Sequence, residues 1–306
     1  MSTGEDPVTM NRSRIVPHFR PTHAIFYLGA LLLCVLPARS VQSQEKTTGT
    51  LVAWGNNSYG QLRLPNPNTQ FMAVAAGDWF NLNLKADGTI VALGNNSYGQ
   101  CTVPSPNSDF TAVAAGWGHA LGLKADGSVA AWGRNNAGQC DVPEPNEDFI
   151  SIAAGSRHSL GLKSDGSIVA WGDNCTSQSL PPTSVVGFQA IAAGTSYSLA
   201  LQNDGSLVAW GDNSFGQLNL PTTNTGFTAI AAGSAHCLAL KEDGSIVAWG
   251  QNLYKQCQVP SPNSGFVAIA AGWRHSLGLK SDGTIIAWGN TSYKQCLVPT
   301  PNTAFI

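Results

Sequence analysis

A tryptophan–glycine pair returns along this chain at a fixed interval. With the Trp as marker, it stands at Trp54, Trp132, Trp171, Trp210, Trp249 and Trp288, and Leu93 fills the one remaining place. Each step is 39 residues, without insertion or deletion. A strict period of this length is the signature of solenoids and propellers, whose units bury their apolar faces only against their neighbours. One domain therefore covers the repeat region, 44–306, of this 306-residue chain.

Inside a unit, hydrophobicity alternates with period two, and Gly, Asp, Asn and Pro punctuate it, which predicts short strands joined by tight turns. Phe110 to Ala115 reads as a first strand ending at Gly116, and His119 to Lys124 as a second. Asp126-Gly127 closes a hairpin, because both residues tolerate positive φ. Ser128 to Trp132 is the third strand, and Gln139 to Val142 a short fourth that ends at Pro143. Proline is tolerable there because it cannot donate to a ladder and belongs on an edge. Four antiparallel strands in about 39 residues make one propeller blade.

The motif Gly116-x-x-His119, Asp126-Gly127 and Trp132-Gly133-x-Asn135-x-x-Gly138-Gln139 resembles the repeat of the regulator of chromosome condensation (RCC) family. The likeness holds in phase from about Gly49 onward. It implies an all-β, RCC-like propeller of seven blades. The compact unit with its VPxPN linkers looks like bacterial secreted members of that family, one branch of which includes a β-lactamase-inhibiting propeller. There are seven marker positions but only six complete units from AAG to DG, so the closing blade is expected to be incomplete in this chain. A gapped ring, a truncated product and closure by a partner all remain open, and an unpaired edge would invite self-association.

Residues 1–43 do not share the repeat. Ala24 to Pro37 is a short apolar run behind a basic segment, followed by Ala38, Ser40 and Ser43. That layout reads as a secretory signal peptide cut after Ser40 or Ser43, with Met10 a candidate start; an uncleaved anchor is the alternative. The expected location is then secreted or periplasmic, with no membrane contact after cleavage. The whole chain carries a formal charge of −2 and only 11 % charged residues, with no run of either sign, which excludes a basic nucleic-acid binder. Cys101, Cys140, Cys257 and Cys296 share one phase with Leu62, Leu218 and Ser179, so they read as small buried filler rather than disulfides or zinc ligands.

Strands alternate in direction, so the loops after strands one and three share a face, and that face holds the chemical variation. After each AAG come Asp78-Trp79, Trp117-Gly118, Ser156-Arg157, Thr195-Ser196, Ser234-Ala235 and Trp273-Arg274. The companion loops add Tyr59, Tyr98, Arg134, Phe215, Tyr254, Lys255, Tyr293 and Lys294. Trp, Tyr and Arg on variable loops over a rigid scaffold dominate binding hot spots. The expected partner-binding set is Asp78, Trp79, Trp117, Arg157, Trp273, Arg274, Tyr59, Tyr98, Arg134, Phe215, Tyr254 and Tyr293; packing of these loops over their own blades is the alternative. His119, His158, His236 and His275 share one phase with Phe80 and Tyr197, which favours a structural role over a ring of metal ligands. No catalytic constellation is found, and neither cofactor nor metal is expected. The sequence thus points to a non-catalytic scaffold for a protein partner, with inhibition of a serine β-lactamase or penicillin-binding protein its most specific form. A repetitive surface component and nucleotide exchange on a small GTPase are the alternatives, the second disfavoured by the signal peptide.

Overall fold

In a computed structural model the protein is described at Ala24–Tyr27, at Ala30–Leu31 and from 48 to 306. The leader assigned to 1–43 lies outside the described residues apart from those two strands. Ala24–Tyr27 runs parallel to Thr50–Ala53, and Ala30–Leu31 runs antiparallel to Ala271–Gly272.

Six successive units each form an antiparallel sheet in the order first, second, third strand. In the unit that begins at Phe110 the strands are Phe110–Ala115, His119–Lys124 and Val129–Gly133. Phe110 pairs with Lys124 and His119 with Gly133, with a bulge just after Phe110. The Lys124 ammonium lies 5.0 Å above the Phe110 ring, and the same stack recurs at Lys85, Lys163, Lys241 and Lys280. The repeated lysine of the hairpin therefore covers its own blade through its alkyl stem and a cation–π contact. Hairpin aspartates such as Asp126 accept from both the N–H and the hydroxyl of Ser128, which holds their carboxyls below the usual range.

The expected fourth strand is absent. Gln139 to Val142 is a turn, and each of the six units contributes three strands to its sheet, the last joined by Ala30–Leu31 from outside the repeat. An asparagine amide replaces the missing ladder. Asn146 accepts the Val129 N–H at 2.8 Å and donates to the Val129 carbonyl at 3.0 Å, as a neighbouring peptide would. Asn68, Asn107, Asn224, Asn263 and Asn302 do the same for their own third strands. The backbone donor and acceptor at the strand entry are thus satisfied without further chain.

Blades join through the marker tryptophans. Trp132 is 7 % exposed and, with Phe110 of its own unit, packs against Phe80, Leu82 and Leu84 of the preceding unit. Burial of this size contributes about 4–6 kcal/mol gross as an upper bound. Its indole N–H donates to the Gln100 main-chain carbonyl at 3.0 Å, and Trp171, Trp210, Trp249 and Trp288 repeat that bond. The glutamine side chain turns back on itself: Gln100 Oε1 accepts the Tyr98 N–H at 2.9 Å.

The ring closes by the same joint. Trp54 donates to the Gln295 carbonyl at 3.1 Å across 241 positions, which together with the ordinary spacing of 32 makes seven repeats. Trp54 packs with Phe305 and the unit beginning at Phe266, while Leu51 packs with Phe71 and Val74 on the other side. The seventh blade position is therefore held by Thr50–Ala53 and wedged from both flanks. First strands face the axis and line a central cavity of about 310 Å³.

Leu93 is the weak joint, as its cluster has only three buried members, Leu51, Phe71 and Val74. Gln61 there keeps a carbonyl that, among the described residues, the Asn81 amide alone engages. Leu93→Trp should fill the site and add the missing indole bond, raising stability by about 1–2 kcal/mol in denaturant unfolding. An unchanged or lower midpoint would show that the joint has repacked around leucine.

Candidate functional site

The two-residue loop after each first strand splits in function. Its first residue, Asp78, Trp117, Ser156, Thr195, Ser234 or Trp273 in turn, lines the mouth of the central cavity. At Trp79 and Arg274 the second residue reaches towards the loop after the preceding unit's third strand. Trp79 meets Tyr59 edge-on at 5.5 Å between ring centres. The Arg274 guanidinium lies 4.8 Å above Tyr254 and 4.4 Å above Trp273, and its Nη1 donates to the Tyr254 hydroxyl at 2.6 Å. Where the second residue is Gly118, a Cβ would come 3.2 Å from Tyr98. Tyr98 instead meets Trp117 at 5.8 Å, and Arg134 lies over both, 5.0 and 4.4 Å away. Arg157 sits at the edge of ion-pair range, 4.0 Å from Asp173.

The twelve residues singled out from the sequence thus lie on one face as several local groups. Tyr59 with Trp79, Tyr98 with Trp117 and Arg134, and Tyr254 with Trp273 and Arg274 are preassembled between neighbouring blades. Phe215 and Tyr293, both more than half exposed, join none of these stacks. Trp273 is 51 % exposed even with Arg274 on it. An exposed aromatic whose guanidinium is already stacked loses little rotamer freedom when a partner covers it.

Asp78 reaches solvent, but the cavity mouth surrounds it with protein, and this desolvation lifts its carboxyl to about 6. The four histidines lie beneath the same face, fully enclosed. Burial lowers His119 and His236 to about 3, and His158 and His275 to about 4. Gly116 has no room for a Cβ, which would sit 2.3 Å from the Gly155 carbonyl and 2.5 Å from the His119 ring. His119 Nε2 meets the Ser159 hydroxyl of the next blade at 3.0 Å, and that hydroxyl donates to the Gln139 carbonyl that also takes Trp171. His158–Ser198 and His236–Ser276 repeat the relay. Its members lie 40 residues apart in sequence, so only their matched exceptions reveal it in the chain. Phe80 precedes Ala120, which has no hydroxyl, and Tyr197 precedes Cys237 and bonds to the His236 carbonyl.

Cys101, Cys140, Cys257 and Cys296 are half-buried free thiols that donate to loop carbonyls, and burial lifts each to about 11. Cys175 is a free thiol exposed on the loop face. No group of three or more His, Cys, Asp or Glu side chains converges among the described residues.

The sequence profile of the Regulator of chromosome condensation (RCC1) repeat matches residues 110–139, 149–178, 188–217, 227–256 and 266–295. Among solved structures the chain is similar to Prp20p from Saccharomyces cerevisiae, described with its binding to Gsp1p and histones: TM-score 0.69 and 21 % identity over 82 % of this chain and 83 % of that one. It is also similar to yeast RCC1 (Prp20) bound to Kap60, with TM-score 0.68 and 18 % identity over 98 % and 89 % of the two chains. The ectodomain of the Arabidopsis thaliana receptor kinase ACR4 gives TM-score 0.60 and 24 % identity over 72 % and 85 %. At these identities the likeness establishes the fold. No curated protein sequence matches the chain.

The relay makes stability depend on pH. Histidines held neutral in the fold but titrating near 6.5 when unfolded take up protons on unfolding. Their contribution is complete above about 6.5 and is lost as pH falls towards 4, at up to about 1 kcal/mol per histidine per pH unit. Asp78 runs the other way, costing stability as pH rises from 3.8 to about 6, and offsets part of one histidine. Grafting the Phe80–Ala120 pair as His119→Phe with Ser159→Ala should remove one histidine's share. Denaturant midpoints at neutral and mildly acidic pH check this, and an unchanged pH slope would refute the relay's role.

Proposed function

Since the chain belongs to the regulator of chromosome condensation (RCC1) repeat family, we propose that it is a non-catalytic scaffold that binds a protein partner on its loop face. The observation that carries this is the pair of Tyr–Trp–Arg stacks, built from residues that the repeat itself does not require. Trp117 and Trp273 stand where Ser156, Thr195 and Ser234 satisfy the same backbone, so the scaffold folds equally well without them. The leader-like segment 1–43 supports an extracytoplasmic setting. There the reading narrows to a partner among serine β-lactamases or penicillin-binding proteins, on the strength of the family resemblance. A repetitive surface component without a single partner is the competing reading.

Replacing Trp79, Trp117 and Trp273 together by Ala should leave the unfolding midpoint nearly unchanged and abolish capture of a partner that the wild-type chain retains. Removing three anchors of this kind costs at least about 2 kcal/mol of binding, roughly 30-fold in Kd. Inhibition of a purified serine β-lactamase, measured with the same two proteins, tests the narrower reading. Loss of the fold in the triple variant would make these residues core and overturn the proposal.

A further inference from the structure

The repeat supplies its own baseline, and three residues depart from it at a cost, two of them lysines. The residue before the buried glutamine takes a left-handed backbone in every unit. It is glycine at Gly60, Gly99, Gly138 and Gly216, with φ between 76° and 79°. At the equivalent positions stand Ser177 with φ 65°, Lys255 with φ 64° and Lys294 with φ 63°, and of these only the lysines bring a charge. A side chain in this region is strained, and such strain persists where it serves something other than the local fold. Neither lysine makes an ion pair or side-chain hydrogen bond among the described residues, and both are exposed. Their charge does nothing for their own blades.

Both lie on one arc of the loop face. Between them Arg274 is held flat by Tyr254 and Trp273, with only Nη1 engaged. Tyr293, 55 % exposed, stands beside Lys294. The loops of this arc, 233–235, 250–258, 272–274 and 289–297, contain no acidic residue. Elsewhere the same face carries Asp78, Asp141, Asp173 and Asp212 beside Arg63, Arg134 and Arg157, against three cations and no acid on this arc. The face is therefore polarised on a chain whose overall charge is −2.

We infer that Lys255, Arg274 and Lys294, interleaved with Tyr254, Trp273 and Tyr293, form the docking surface for a short acidic peptide segment of the partner. This rests on the loop-face reading and narrows it. Charge complementarity fixes the sign of the ligand, and the stacked guanidinium offers free N–H donors in the planar geometry that suits carboxylates. The flanking carboxylates Asp212 and Asp78 limit its length. A nucleic-acid backbone or an anionic membrane would extend past the arc onto those aspartates, whereas a few consecutive Asp or Glu residues fit within it.

The test titrates a fluorescein-labelled decapeptide of Glu and Tyr, with a Gly–Ser peptide of equal length as the neutral control, into the full chain. The key variant is Lys255→Gly with Lys294→Gly, which restores the residue of four other units. It should weaken acidic-peptide binding about tenfold while its unfolding midpoint stays level or rises. A matched loss of two charges on the opposite face, Lys124→Gln with Lys163→Gln, should leave binding unchanged, and wild-type affinity should fall with added salt. Equal affinity in the double-glycine variant, or tighter binding of a DNA duplex or of anionic vesicles than of the acidic peptide, overturns the inference. If the wild type ignores the acidic peptide yet still loses its captured partner in the triple tryptophan variant, this inference fails and the loop-face proposal stands. If capture survives in that variant too, both fall.

Discussion

The joint on which this ring depends is a main-chain carbonyl. The backbone oxygen of every repeated glutamine except Gln61, such as that of Gln139, accepts the indole N–H of the next blade's tryptophan and, where one is present, the hydroxyl of the next blade's serine. That oxygen is in place because the glutamine side chain folds back onto the N–H two residues earlier and fixes the turn. Burying a bulky indole is favourable only when its N–H finds an acceptor. The turn supplies one at every interface. Closure uses no special device: Trp54 meets Gln295 in the geometry of the other blades, and this brings the two ends of the repeat region together.

Because the joints are made below the loops, the loop residues are released from structural duty. The relay from His119 through Ser159 to Gln139 is fully buried, and Gly116 keeps it tight against the neighbouring blade. Above it, Ser156, Thr195 and Ser234 show that a small residue suffices. Tryptophan at Trp117 and Trp273, arginine at Arg134 and Arg274, and lysine at a left-handed position are additions to a frame that is already satisfied. Departures from an internal repeat carry information that a non-repetitive fold would hide.

Much of this was legible in the chain. The period gave the blade, and the alternation of strand direction placed both sets of loops on one face. The histidines' exchange with Phe80 and Tyr197 pointed to a structural role, and the structure gives His119, His158 and His236 a serine partner in the next blade. The fourth strand was misjudged. A short apolar alternation ending at Pro143 looks the same whether it pairs or turns, and nothing local signals that the Asn146 amide replaces the ladder. The stacking of Lys85 and its equivalents was not legible, because a ring stacked across a sheet leaves no trace in sequence spacing.

The sequence by itself determined the architecture, since a period repeated without error imposes one environment on every 39th residue, and it determined which residues are free to vary. Only the tertiary structure decided how those free residues combine. It set the first loop residue towards the axis, joined Arg274 to Tyr254 and Trp273, and gathered Lys255 and Lys294 on an arc without acids. Such groupings arise between blades, across distances that the ring bridges and the chain does not.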